Sequence, residues 1–355
     1  MGLQFEFSSE QQMLAASVRG VLARAAGPAE PLPSNLAPLA RQVADHGLFG
    51  VFAPAAAGGL GLGLTEALAI SMETGRAHAP YPVIETIMAA RLLADTRPSV
   101  AAQVMRGELI ATCASSGEVE VVANGGQPLL RGSVMVPFAH HARWLALPVQ
   151  RADRNEPGSW AAVVDLAGRG VSISPASEFD LTYPVFRVAL GACIEPTDIV
   201  ACHLAPALAV LACGELTGAA EHCLERTLRY LKERVQFGKP IGTNQGLKHA
   251  AADDWMRVQG MLAASQYAAA SFDNAGNPGG VAEFTQAAHV AKAYCSAAAR
   301  AVAEHAIQMH GGIAFTWEFG LHVSLRRILR LATALGSVAD HYDALAAALL
   351  NGRTQ

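Results

Sequence analysis

Residues 233–249 read ERVQFGKPIGTNQGLKH. The stretch closes a Leu- and Ala-rich helical pattern and then changes character within a few residues. It passes through one aromatic, a glycine, a Lys-Pro step and two amides, and neither Gly238 nor Pro240 suits a continuing helix. Arg234 therefore falls near a helix C-terminus. Taken alone, an arginine there offsets the helix dipole and donates to free carbonyls. A second stretch, IQMHGGIAFTWEFGLHVSLRR at 307–327, adds weight to another reading. It ends another long helical pattern. Gln308 stands just before that end, and Gly311-Gly312 strips the side chains so that a ligand can approach bare amides. The two stretches read as halves of one polar site, in which an arginine and backbone amides hold a diphosphate.

The bulk composition sets the frame. A chain of 355 residues exceeds one ordinary core, so two or three packed units are expected. Hydrophobic residues make up 52% and charged residues 16%, enough to bury a large core and a subunit interface as well. The net charge is -4 with no basic block, which argues against a nucleic-acid partner. The histidines and cysteines show no zinc-ligand or disulfide spacing, so reduced thiols are expected. The opening MGLQFEFSSEQQ carries acids and no apolar run, unlike a signal peptide. No unbroken apolar stretch reads as a membrane span. These features point to a cytoplasmic protein.

The texture changes twice along the chain. Ser8 and Gln11 form a capping-box pattern, followed by apolar residues at Leu14, Val18, Val21 and Leu22 in helical spacing. Up to about residue 107 the patterns are helical. Between 108 and about 200, short runs such as VEVVANG, PLLRGSVMV and FRVALGAC are broken by Gly, Pro, Asn and Asp, which suits an antiparallel sheet or small barrel. After 201 the helical pattern returns. Leu216, Ala220, Cys223, Thr227 and Leu231 share one stripe, and Glu225 and Arg229 are spaced as an ion pair on the other side. Arg326-Arg327 reads as a basic pair near a helix end, suited to dipole compensation or to a phosphate contact.

With these stretches in view, the chain resembles the acyl-CoA dehydrogenases. ERVQFGKPIGTNQGLKHAAAD matches that family's Arg-x-x-Phe-Gly-x-x-Ile…Gln segment, and IQMHGGIAFTWE matches its Gln-x-x-Gly-Gly-x-Gly-[FY] segment with Ala314 in place of the third Gly. FEFSSEQQMLAASVRGVLA and GLFGVFAPAAAGGLGLGLTEALAISMETGRA resemble its first two blocks. The resemblance covers nearly the whole chain. It implies an α+β, mostly α fold: an N-terminal helical domain (1–107), a central β-domain (108–200) and a C-terminal four-helix bundle (201–355). It also implies FAD as cofactor, an acyl-CoA substrate, and electron-transfer flavoprotein or a similar acceptor. In the family these two segments complete the nucleotide end of a neighbouring chain's FAD. Carried across, Arg234 pairs with the diphosphate and Phe237 packs by the adenosine. Gln245, Gln308 and the amides of Gly311 and Gly312 hydrogen-bond the same end.

The resemblance also shows what is missing. Dehydrogenation needs a dry, well-placed carboxylate to take the α-proton of the thioester. Where most members carry that Glu, this sequence has Leu335, followed by Gly336 and Ser337. Where other members carry it, one helix earlier, this sequence has Leu208. Glu215, two turns beyond Leu208, and Glu318 are candidates for a relocated base. The flavin-ring segments are altered too. TCASSGEVEV is shortened and lacks the family's Pro, and Val136-Pro137-Phe138 stands where Trp-Ile-[ST] is usual. Pro137 has no amide to offer. The losses fall on groups that bed a chain's own flavin ring, and the retained groups serve a neighbour's cofactor. This pattern is similar to the short, degenerate acyl-CoA dehydrogenase subunits that pair with a Glu-bearing partner as α2β2 heterotetramers acting on steroid side chains and other bulky acyl-CoAs. The sequence does not specify the acyl group.

Overall fold

The computed structural model describes residues 6–25, 35–151, 160–177, 179–277 and 279–352. Among these residues five α-helices come first: α1 (Ser9–Ala25), α2 (Ala37–Ala44), α3 (Leu64–Ala77), α4 (Val83–Thr96) and α5 (Pro98–Met105). The cap expected at α1 is present. Ser8 N donates to Gln11 Oε1 at 2.8 Å, and Gln11 N donates back to Ser8 Oγ at 3.3 Å.

Nine strands follow among the described residues: β1 (Ala111–Cys113), β2 (Ser116–Asn124), β3 (Gln127–Pro137), β4 (Trp144–Pro148), β5 (Gln150–Arg151), β6 (Trp160–Asp165), β7 (Val171–Ser177), β8 (Val185–Cys193) and β9 (Ile199–Ala201). They form a four-stranded sheet in the order β1-β4-β6-β9 and a five-stranded sheet in the order β5-β2-β3-β8-β7. Most pairs are antiparallel, as the turn-rich sequence suggests, but β1–β4 and β2–β5 are parallel. Val119, Leu130, Val134, Leu145, Leu147, Val164 and Val188, drawn from both sheets, share one buried core.

The last part of the chain is helical: α6 (Leu204–Glu233), α7 (Gln245–Asp273), α8 (Gly280–His310), α9 (Leu321–Thr333) and α10 (Val338–Gly352). A small hairpin, β10 (Val235–Gln236) and β11 (Lys239–Pro240), separates α6 from α7. The α6 stripe read from the sequence is buried along its whole length, from Leu216 at 0% exposed to Leu231 at 4%. By length and composition α6 passes as a membrane span, contrary to the sequence reading, but 83% of its apolar window is buried within the fold. It is a core helix.

Two compact units result, each discontinuous in sequence. One comprises Met1–Glu30, Leu68–Ala79 and Ala209–Gln355; the other comprises Pro31–Ala67 and Pro80–Leu208. In the first, α3 and α6 cross at backbone contact. A Cβ on Gly214 would lie 1.9 Å from Ser71 Oγ, and one on Gly218 would lie 1.8 Å from the Met72 carbonyl oxygen. Such an approach requires glycine.

Two polar expectations are corrected. Glu225 pairs with Arg76 of α3, not with Arg229, because the Arg76 guanidinium bridges Glu221 and Glu225 one turn apart. Arg327 lies within α9 rather than at its end, is fully buried, and donates from Nη1 and Nη2 to the Ala79 carbonyl at 3.5 and 3.4 Å.

Candidate functional site

The geometry of the Arg234 segment begins with a turn. Phe237 (φ 53°) and Gly238 (φ 79°) occupy the two central positions of the β10–β11 hairpin, and two consecutive positive φ values make a type I′ turn. An aromatic residue in the left-handed region is strained. Phe237 is nonetheless 100% exposed at the tip. Arg234 is exposed, and its guanidinium makes no hydrogen bond or ion pair among the described residues. Its backbone is tied, however. Arg234 N donates to the Tyr230 carbonyl, and Ile241 N donates to the Arg234 carbonyl, both at 2.8 Å. Asn244 then caps α7 by accepting from Gly246 N at 2.9 Å, which sets Gln245 as the first helical residue.

Three helix ends converge here. α7 and α8 run antiparallel, with Phe272 against Phe284 (ring centroids 4.9 Å), Ser265 Oγ 3.5 Å from Cys295 Sγ, and Asp254 bonded to His305 at 2.8 Å. The same register, continued, brings Gln245 level with Gly311 and Gly312. The end of α6 joins them, because Tyr230 stacks on His310 at 4.5 Å and Arg226 donates to the Phe319 carbonyl. Arg234, Phe237, Gln245, Gln308, Gly311 and Gly312 thus gather at one end of the helical unit. Gln245 and Gln308 are exposed. A Cβ on Gly311 (φ 65°) or on Gly312 would meet no atom within 4 Å. Among the described residues nothing crowds Gly312, so the room it leaves there is open to another molecule.

This end carries one feature that the sequence reading missed. Asp254 on α7 is 2% exposed and accepts from His305 Nδ1 at 2.8 Å and from Arg257 Nη1 at 2.9 Å. Burial pushes the Asp254 carboxyl up, and the His305 bond and Arg257 charge oppose that shift. Residues 51 apart in sequence give no local signal of such a pair.

The flavin-ring segments of the β-rich unit look different. Thr112 Oγ1 donates to the Pro137 carbonyl at 2.8 Å, and Ser115 N and Oγ both donate to the Met135 carbonyl. Phe138 takes φ 55°, is 0% exposed, and packs edge-on against Tyr183 with ring centroids 4.6 Å apart. Tyr183 Oη in turn donates to Glu85 Oε2 at 2.6 Å in a buried setting. Two polar side chains of these segments, Thr112 and Ser115, are thus spent within the chain.

The two usual base positions hold leucine in different settings. Leu208 is 1% exposed. Leu335 sits at φ 60° in the turn between α9 and α10. That turn is held from inside by Lys292, fully buried on α8, whose Nζ donates to Ser296 Oγ at 3.0 Å and to the carbonyls of Ala332 and Gly336 at 3.3 and 3.4 Å. Burial lowers the lysine pKa. Glu215 is 0% exposed and lies on the α3–α6 crossing, whereas Glu318 is exposed.

Comparison with known proteins accounts for this arrangement. Residues 8–96 match the acyl-CoA dehydrogenase N-terminal domain, and residues 208–350 match the acyl-CoA dehydrogenase C-terminal domain. The acyl-CoA dehydrogenase IpdE2 of Mycobacterium tuberculosis is 30% identical over 326 residues, which is 90% of each chain. The chain belongs to the acyl-CoA dehydrogenase family. The family is FAD-dependent, and its fold of helical, β and helical parts is the fold seen here. A second acyl-CoA dehydrogenase of M. tuberculosis, FadE34, is 31% identical over 313 residues; the match takes in 84% of this chain but only 40% of FadE34. Among solved structures, the ChsE4-ChsE5 complex from M. tuberculosis superposes with a TM-score of 0.85 at 21% identity, covering 98% of this chain and 99% of that one. The Tcur3481-Tcur3483 steroid acyl-CoA dehydrogenase variant superposes with a TM-score of 0.84 at 24% identity, covering the same shares. At these identities the two structures show the shared fold.

Within an acyl-CoA dehydrogenase, the FAD nucleotide end asks for an exposed cation, amide side chains and uncrowded backbone. The helix-end cluster from Arg234 to Gly312 fits that request. The β3 end, with Phe138 turned inward, does not fit a ring bed.

Proposed function

We propose that this chain is the base-less subunit of a hetero-oligomeric, FAD-dependent acyl-CoA dehydrogenase in the cytoplasm, catalysing α,β-dehydrogenation of an acyl-CoA thioester. One contrast carries the reading. The groups suited to a nucleotide are unspent and outward-facing, whereas Thr112 and Ser115 of the flavin-ring segment are bonded internally, Phe138 is buried, and both usual base positions hold leucine. In this reading Arg234 pairs with the diphosphate of the FAD in a partner chain, and Phe237 covers its adenosine. Gln245, Gln308 and the amides of Gly311 and Gly312 satisfy the remaining oxygens. Bound FAD supplies the hydride acceptor, and the partner supplies the carboxylate base. An α2β2 assembly follows, reoxidised by electron-transfer flavoprotein or a similar acceptor. The similarity to the ChsE4-ChsE5 complex and to the Tcur3481-Tcur3483 steroid enzyme supports this, as does the size of FadE34, of which the match takes in only 40%. A bulky substrate such as a steroid side-chain thioester is consistent with the steroid enzyme among those structures.

The test is to express the chain alone and together with an acyl-CoA dehydrogenase encoded beside it. The lone chain should lack stoichiometric FAD and activity. The pair should carry flavin that acyl-CoA bleaches. Stoichiometric FAD and acyl-CoA oxidation by the lone chain would overturn the proposal, and a flavin in the pair that no acyl-CoA bleaches would favour a purely scaffolding member.

A second reading, a self-sufficient dehydrogenase with a relocated base, draws on the complete burial of Glu215, since a base needs a dry setting. Glu215→Gln decides it: a rate unchanged from wild type removes Glu215 from the chemistry. Glu318, being exposed, lacks that setting.

A further inference from the structure

The Asp254–His305 pair stands beside the helix-end cluster. His305 and Gln308 stand three residues apart on one face of the last turns of α8, which ends at His310 just before Gly311 and Gly312. Asp254, 2% exposed, accepts from His305 Nδ1. A carboxylate on that side fixes the tautomer, with the proton on Nδ1 and Nε2 turned away as the working nitrogen. The His305 side chain is 44% exposed, and Nε2 makes no hydrogen bond among the described residues. As a mere cross-link of α7 to α8 the arrangement is inefficient. A carboxylate taken out of water at that depth costs more than the apolar contact that would serve the same purpose. Its geometry is that of an oriented imidazole with a supporting acid behind it and an open front.

We infer that His305 is a further contact to the nucleotide half of the FAD shared across the subunit boundary. Its Nε2 accepts a hydrogen bond from a ribose hydroxyl of that half, and Asp254 acts as the positioning residue behind it. The inference rests on the proposed function, because it needs the partner's cofactor at this end of the bundle. It adds a residue that neither glycine pair nor arginine motif contains.

Two substitutions separate this role from a structural one. Asparagine places its amide where Nδ1 stands, keeping the bond to Asp254 and losing the outward nitrogen. Glutamine reaches the Nε2 position and gives up the inner bond. His305→Asn and His305→Gln are made in the co-expressed complex, and FAD retention is followed by flavin fluorescence on dilution, with thermal melts as a folding control. His305→Asn should weaken FAD binding by up to about tenfold, the loss of one hydrogen bond. His305→Gln should stay within about threefold of wild type by the same measure. The reverse order would overturn the inference, because a helix cross-link depends on the inner bond alone. Arg234→Ala is the reference. If it releases FAD while His305→Asn does not, His305 has no contact and the proposed function stands. If Arg234→Ala also retains FAD, both fall.

Discussion

A Cβ added to Gly75 would stand 2.0 Å from the backbone oxygen of Glu215. The clash is with main chain on a helix that other glycines already hold at contact distance, so neither partner can yield locally. Gly75→Ala should destabilise the helical unit by roughly 3 kcal/mol, in the upper part of the range for overpacked cores. Urea unfolding followed by circular dichroism measures this. Stability equal to wild type would mean that the α3–α6 crossing is looser than described.

Phe237 is held at φ 53° in a turn that asparagine or glycine would occupy without strain. Phe237→Asn should therefore leave the lone chain as stable as wild type or more stable by about 1 kcal/mol. The same change should loosen FAD in the assembled enzyme, because the exposed ring is lost. Unfolding midpoints and flavin retention on gel filtration should move in opposite directions.

Tyr183 Oη donates to Glu85 Oε2 at 2.6 Å with both residues buried, so Tyr183→Phe removes a hydrogen bond to a buried carboxylate. A loss of about 2 kcal/mol is expected. Thermal melting of the purified chain tests it, and an unchanged melt would show that the remaining neighbours of Glu85 suffice.

Stability should fall on mild acidification. Burial, then Arg226 and Arg76, holds His222 down at about 4. Burial, then Lys292 and His289, does the same to His341, also at about 4. The unfolded chain takes up these protons near pH 6.5, which the fold refuses until about pH 4. The contribution is therefore complete above about pH 6.5 and is lost as the pH falls towards 4, with a slope of at most ~1.4 kcal/mol per pH unit for each histidine. His222→Gln should flatten the decline between pH 6.5 and 5, read from urea midpoints across that interval.

Helix registers and the helix-end cluster were legible in the sequence because they rest on local rules. The stripe from Leu216 to Leu231 follows from a period of 3.6, and the Ser8 cap follows from two residues three apart. Arg234, Gln308 and Gly312 carry the family's spacing, so their gathering at one end followed once α7 and α8 paired. What stayed hidden depends on partners distant in the chain. The capture of Glu225 by Arg76, the burial of Arg327 under the Ala79 carbonyl and the Asp254–His305 bond are set by which helix faces meet, and no periodicity encodes that. The inward turn of Phe138 was half legible. Pro137 announced a lost amide, but only the packing shows Phe138 buried against Tyr183.

Phe237, Phe315 and Trp317 are 100%, 66% and 56% exposed on the helical unit. Sticky rings on open display make any surplus of this polypeptide a liability, prone to clumping or to destruction by quality-control proteases. A cell making it gains by matching its synthesis to that of whatever covers those rings, and translation of both from one message is the simplest way to keep the count even.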